Sequence, residues 1–245
     1  MLHRTLLLDI ETAPNTAFCW GLYDQNIAHE QVVESSYILC WTAKWYQAKG
    51  QVYASLQSMT KQEMLKQIHT LLDEAEVVIH YNGMKFDIPT LNKEFIKLGW
   101  MPPSPYKQVD LYQVVKRMFR FESNKMTAIT KQLDLGQKLK HQGFELWVGC
   151  MRGDAECWKV MERYNKRDVQ IMEKLYTKLL PWIPNHPHQG LEDERACPRC
   201  GVVGQMQRRG TAIARTVRYQ RFQCQGCGGW SRARLGEKGK KPVFV

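Results

Sequence analysis

Asp9 and Glu11 stand two residues apart in an apolar, β-compatible stretch, residues 4–12, so on a strand both carboxylates leave the same face. Carboxylates held that close repel one another unless a cation lies between them. A hard, oxygen-ligated ion such as Mg²⁺ or Mn²⁺ suits them, although the pair alone equally describes a solvated strand end. Two further acids follow. Asp87 closes "HYNGMKFD" at a strand-to-helix junction, and Asp168 closes "YNKRD", in which Tyr164 precedes it by four residues on one helix face. Near the other end, "CPRCG" and "CQGCGG" place Cys197, Cys200, Cys224 and Cys227 in two Cys-x2-Cys pairs separated by 23 residues. Matched pairs of this kind, each followed by a glycine that permits a tight turn, point to one zinc held tetrahedrally by four thiolates. A redox pair is the competing reading.

In chain order, "DIET", "YNGMKFD" and "YNKRD" resemble the three exonuclease motifs of the DEDD, or DnaQ-like, 3′-5′ exonucleases. The Tyr-x-x-x-Asp form of the third is similar to the DEDDy branch, which includes the proofreading domains of family B DNA polymerases; the histidine of the DEDDh branch would fall at Arg163. The resemblance covers about residues 4–182 and implies an RNase H-like α/β fold. It makes Asp9, Glu11, Asp87 and Asp168 the ligands of two Mg²⁺ or Mn²⁺ ions, and Tyr164 the phenol that orients the attacking water. Two such ions supply the nucleophile, the in-line geometry and neutralisation of the leaving oxygen. An ordinary tyrosine titrates near 10, so its hydroxyl suits orienting better than deprotonating. By the same resemblance Thr12 and Asn82 approach the substrate strand and Phe86 supports the site.

These residues need a scaffold. The strand of residues 4–12 is broken by Ala13-Pro14-Asn15, and residues 37–45 and 51–56 read as neighbouring strands joined at Ala48-Lys49-Gly50. Thr60 and Glu63 form a capping box, followed by Met64, Leu65, Ile68, Leu71 and Leu72 at helical spacing. Then come a strand at "EVVIHYN", a helix over about 88–98, a short strand near Val109, helices over 111–119 and 126–133, and a helix over about 164–180 stopped by Pro181 and Pro184. A meander followed by β/α units predicts a mixed sheet flanked by helices. Asp110 and Asp154 read as helix caps, with a supporting role at the site open to Asp110. Cys19, Cys40, Cys150 and Cys157 read as buried or half-buried thiols. Residues 1–185 form the expected exonuclease domain, 186–195 a linker, and 196–245 a basic zinc ribbon.

Charge locates a partner. Of the net +11, residues 1–194 contribute nothing, whereas residues 195–245 hold 12 Lys and Arg against Glu237 alone. A neutral body with a basic appendage calls for a polyanion. Arg218, Arg221 and Trp230 are the expected contacts of the ribbon with a nucleic acid strand, with a protein partner, such as a replication or recombination protein, as the alternative. A segment of about 50 residues cannot hold itself together by core alone, so zinc is expected to be structural. No apolar run approaches a bilayer span and no signal peptide is visible, which reads as no membrane and a cytoplasmic protein of a bacterial or phage-infected cell. The function expected is a two-metal-ion 3′-5′ exonuclease acting on DNA with a free 3′ end. An exoribonuclease and a non-catalytic zinc-ribbon adaptor are the alternatives.

Overall fold

The computed structural model describes residues 4–137, 139, 142–214 and 217–236; Arg215 and the "EKGKKP" stretch of the tail lie outside them. The chain divides into two compact units, residues 4–175 and the chain from Tyr176 onward. The first runs β1 (Thr5–Thr12), β2 (Thr16–Ala17), β3 (Val32–Glu34), β4 (Ile38–Trp45), β5 (Val52–Ser55), α1 (Lys61–Glu74), β6 (Val77–His80), α2 (Asp87–Lys97), β7 (Lys107–Asp110), α3 (Leu111–Met118), α4 (Met126–Gln132), α5 (Glu145–Met151) and α6 (Ala155–Leu179), whose last turn enters the second unit.

Its main sheet has the order β5-β4-β1-β6-β7. β1 pairs antiparallel with β4 and parallel with β6, and β6 pairs parallel with β7, so the sheet is mixed as the sequence predicted. β1 is covered on both faces. Leu6, Leu8 and Ile10 pack with Trp41 of β4, with Met64, Leu65, Ile68 and Leu72 of α1, and with Leu91 and Phe95 of α2. The alternate residues Leu7, Asp9 and Glu11 leave the opposite face. A second core joins Leu39 and Cys40 of β4 to Leu146 and Cys150 of α5 and Trp158, Met161 and Tyr164 of α6. α1 starts as expected, with the Glu63 amide donating to Thr60 Oγ1 at 3.3 Å and the Thr60 amide to Glu63 Oε2 at 2.9 Å.

Three features depart from the sequence reading. The β2–β3 excursion between the first two sheet strands was not anticipated, and Cys19 within it is exposed instead of buried. The excursion is pinned by Gln31, whose side chain donates to the Phe18 carbonyl at 3.0 Å and accepts from the Ala28 amide at 2.8 Å. That pinning leaves Phe18, Trp20, Leu22 and Tyr23 in solvent. α5 was also missed. Finally, α6 begins at Ala155 instead of about residue 164. Asp154, read as a cap, does accept from the amides of Glu156 and Cys157 at 2.8 and 3.0 Å, but the helix it starts continues without a break into "YNKRD".

In the second unit β8 (Met206–Ala214), β9 (Val217–Cys224) and β10 (Trp230–Arg232) form a three-stranded antiparallel sheet in the order β10-β9-β8. Residues 186–195, expected as a linker, are built into this unit. The Tyr176 hydroxyl meets His186 Nε2 at 2.7 Å, the Gln189 amide donates to the Pro198 carbonyl at 3.0 Å, and Arg199 donates to the carbonyls of Ile183 and Pro184. Among the described residues no helix is long and apolar enough to cross a membrane.

Candidate active site

The C-terminal half of β1 and the middle of α6 bring three acids together. Ligand oxygens of Asp9, Glu11 and Asp168 all lie within 4.8 Å of one another. Asp168 is buried, and the two β1 acids are half-buried. Three carboxylates so close carry a repulsion that a divalent ion relieves, and their donor set is oxygen alone, which suits Mg²⁺ or Mn²⁺. Register helps. Asp9 pairs with Thr42 and Glu11 with Cys40 across the β1–β4 ladder, so the residues directly opposite them are uncharged, and Lys44, two residues along on the same face, is paired with Glu173. Burial pushes the Cys40 thiol well up and keeps it neutral there.

Neighbouring side chains hold the two β1 carboxylates. Asn165, fully buried on α6, donates from Nδ2 to Asp9 Oδ2 at 2.7 Å and reaches the Asp9 carbonyl at 3.4 Å. Trp147 of α5 donates from Nε1 to Glu11 Oε2 at 3.2 Å. Its ring lies edge-on to Tyr164, with centroids 6.0 Å apart. Sequence reasoning missed both as functional residues. Asn165 lies inside "YNKRD", where its signal is local; Trp147 lies on α5, for which the sequence gives no expectation.

Asp87 stands outside the group of three. It opens α2, is only 4 % exposed, and accepts from the Ile10 amide at 3.1 Å, which ties the helix to β1 between the two β1 acids. Burial pushes its carboxyl up to about 7, against the hydrogen bonds from Ile10 and its own backbone, with Asp110 adding to the rise. The turn before it is held from β7. Asp110 Oδ1 accepts from the amides of Asn82 at 2.8 Å and Tyr112 at 3.0 Å, and Oδ2 from Met84 at 3.3 Å. Asp110 is therefore both the expected helix cap and a brace for the 82–84 turn, where Asn82 sits at φ +66°. The Gly83 amide donates to Nδ1 of the buried His80, whose Nε2 therefore carries the proton that goes to Gln108 Oε1 at 3.0 Å. A Cβ at Gly83 would meet the His80 ring at 2.5 Å, so only glycine fits.

Of the remaining expected contacts in this unit, Thr12 ends β1 half-buried, and Phe86 precedes α2 and is 45 % exposed. Asn82 lines an open groove of about 800 Å³ that also takes in Asp9, Tyr81, Lys85, Tyr112 and Lys125. Lys166 pairs with Glu162 on the same helix, and Arg167 donates to the Gln137 carbonyl at 3.3 Å.

In the second unit Cys197, Cys200, Cys224 and Cys227 also close to within 4.8 Å. The Cys197–Cys227 and Cys200–Cys224 sulfurs are each 3.8 Å apart, as tetrahedral Zn–S bonds of about 2.3 Å require, since that geometry sets sulfurs roughly 3.8 Å apart. The backbone turns toward them. Amides of Arg199 and Gly229 donate to Cys197 and Cys227 Sγ at 3.4 Å, with Gly201 and Gly228 at φ +72° and +76°. The four thiols are compatible with a zinc ribbon.

A family model described as the RNase_H superfamily matches residues 6–180. Among solved structures, the family B DNA polymerase from the hyperthermophilic archaeon Pyrobaculum calidifontis aligns with a TM-score of 0.56 at 16 % identity. The alignment takes in 73 % of this chain and 25 % of the polymerase, so the chain spans about a quarter of that enzyme, and the likeness is one of fold. No curated protein matches the sequence.

Proposed function

This chain belongs to the RNase_H superfamily, and from that premise we propose that it is a metal-dependent 3′-5′ exonuclease of the DEDDy type that hydrolyses phosphodiester bonds of DNA from a free 3′ end. The observation that carries the reading is the gathering of Asp9, Glu11 and Asp168 oxygens within 4.8 Å, with Asp9 also lining an open groove. Asp9, Glu11 and Asp168, with Asp87 beside them, hold two Mg²⁺ or Mn²⁺ ions. When bound, the ions supply a water nucleophile near neutral pH and stabilise the leaving oxygen.

The chain's own residues do the positioning. Asn165 and Trp147 each donate to one oxygen of Asp9 and Glu11 and keep those carboxylates from turning away from where ions would be held. Tyr164, only 8 % exposed and on the same helix as Asp168, orients the attacking water through its hydroxyl. Asn82 and Lys85, on the groove wall next to Asp9, steady the strand and its phosphate. The unit from Tyr176 holds one structural zinc through its four cysteines and grips nucleic acid, with a replication or recombination protein of a bacterial or phage-infected cell as the wider setting.

The test is degradation of 5′-end-labelled single- and double-stranded DNA and RNA, with and without Mg²⁺ or Mn²⁺. A ladder of shortened DNA that requires the metal and vanishes in Asp9→Asn and Asp168→Asn upholds the reading. Release from RNA alone would replace DNA as substrate, and near wild-type turnover in either variant would sink the assignment.

A further inference from the structure

The pairing of β9 with β10 sets four residues of the second unit on one face of its sheet. Trp230 is opposite Gln223 and Arg232 opposite Arg221, and residues directly opposite or two apart share a face. Trp230, Arg232, Tyr219 and Arg221 therefore stand together. Arg218, whose partner is Ile213, falls on the other face with Phe222 and Arg208. Of the three ribbon contacts expected from the sequence, the structure thus places Arg221 and Trp230 together and Arg218 apart.

Arg221 and Arg232 are like charges on directly opposed positions, an arrangement that costs stability. Neither has an ion-pair partner among the described acids. Each is instead laid on a diagonal aromatic ring: the Arg221 guanidinium lies 4.6 Å from the Trp230 centroid and that of Arg232 lies 4.0 Å from Tyr219. Stacking fixes a guanidinium by its flat side and leaves in-plane N–H groups to meet an oxyanion; Arg221 Nε donates to the Arg209 carbonyl at 3.1 Å, so it is the terminal Nη groups of Arg221 that remain for one. Both arginines and Trp230 are exposed. Two cations held side by side ask for a shared anion as surely as paired carboxylates ask for a metal.

We propose that this face of β9 and β10 is a docking site for one single-stranded nucleic acid segment, with Arg221 and Arg232 converging on a backbone phosphate and bases lying against the Trp230 and Tyr219 stacks. The proposal deepens the reading that the unit from Tyr176 grips nucleic acid, and rests on it. Charge selects the occupant: 12 Lys and Arg against one acid in residues 195–245 suit a polyanion and oppose a basic or neutral protein surface. The flat stacks select a single strand, because bases locked inside a duplex cannot reach them.

The test is fluorescence anisotropy of a labelled 20-nucleotide oligothymidylate with the full-length, zinc-loaded protein across a salt series, without added Mg²⁺ or Mn²⁺ so that the strand is not consumed. R221Q/R232Q should weaken binding roughly tenfold and make the slope of log affinity against log salt shallower by about 0.7, the value for one phosphate on a single strand. W230L should weaken it by roughly five- to 150-fold with the slope unchanged, as lost base stacking does. R208Q/R218Q, on the opposite face, should cost less than about threefold. Zinc content reports whether each variant keeps its fold; should W230L lose the metal, the two arginine pairs decide. Equal losses from both pairs would overturn the face in favour of a diffuse basic field, and no loss from any variant would mean that the ribbon meets a protein. A protein that binds through this face yet hydrolyses nothing leaves the docking site standing and removes the exonuclease reading; the converse result does the opposite.

Discussion

Asn165→Leu isolates what a neutral side chain does for the acids. Asparagine and leucine branch alike, so the substitution keeps the shape on α6 while deleting the Nδ2 donor that meets Asp9 Oδ2 at 2.7 Å. A hydrogen bond to a charged group is worth about 1.5–3 kcal/mol, or roughly 10- to 150-fold in an equilibrium constant. Removal of a residue that orients a metal ligand costs about 10- to 100-fold in metal affinity or activity. The Mn²⁺ concentration for half-maximal exonuclease activity should therefore rise about 10- to 100-fold, while turnover at saturating Mn²⁺ stays within about threefold. Stability should move little. Asn165 Oδ1 is buried without a hydrogen-bond partner, and deleting that orphan acceptor returns about as much as the lost donor removes, leaving roughly 1 kcal/mol or less. That corresponds to a shift in Tm of about 2–4 °C for a unit of this size. A metal titration of activity beside thermal unfolding checks both halves. An unchanged Mn²⁺ midpoint would reduce Asn165 to a packing residue, and a fall in Tm beyond about 10 °C would refute the cancellation.

Tyr164→Phe deletes an orienting hydroxyl but no charge, so turnover should fall less than in Asp168→Asn and the metal midpoint should hold; a silent variant would remove the water-orienting role. Cys224→Ser should abolish zinc retention and unfold the sheet of β8 to β10, measured by metal analysis and proteolysis, with nuclease turnover surviving in residues 4–175. Glu94 supplies a pH test. Burial works to raise its carboxyl, but hydrogen bonds and charge from Lys61 at 2.5 Å and Lys93 at 3.3 Å outweigh it and hold the group below the usual carboxylate range. A depressed folded pKa gives stability that is present above the unfolded value of about 4.3 and is lost as pH falls through the folded one. Glu94→Gln should therefore flatten the acid limb of the stability curve below about pH 4.5, and an unaltered acid limb would count against the pairing.

The meander, the β/α succession and the acids of β1 were legible because each rests on local signals: period two in β1, a capping box at Thr60, and helical spacing from Met64 to Leu72. The capping acids Asp110 and Asp154 were legible for the same reason. What escaped is what long-range packing decides. α5 is only seven residues long, too short for its apolar spacing to stand out, and is defined by packing Leu146 and Cys150 with Trp158 and Met161 of α6. The excursion that exposes Cys19 is a side-chain staple by Gln31, for which composition gives no sign. Asn165 was visible in the third motif, but its partner is 156 residues away, and only the fold reveals that its amide is spent on Asp9. Arg218 and Arg221 take opposite faces by the period of two once β9 is a strand, but the meeting of Arg221 with Arg232 depends on strand register, which a list of basic residues does not contain.

That separation of 156 residues between Asp9 and Asn165 also sets an order in time. A ribosome adding about 5–20 residues per second delivers β1 long before α6, so for roughly 8 to 30 s the nascent chain carries two adjacent acids with no amide to hold one of them and no third carboxylate to complete the set. β1 can meet β4 and α1, and β4 can meet β5, in that interval, because those elements follow β1 closely. The group of three acids waits for the last helix of the unit. On the proposed exonuclease reading, a truncated or stalled product folds much of its sheet without cutting nucleic acid, and metal-dependent cutting would report that synthesis has passed residue 168 and that α6 has docked.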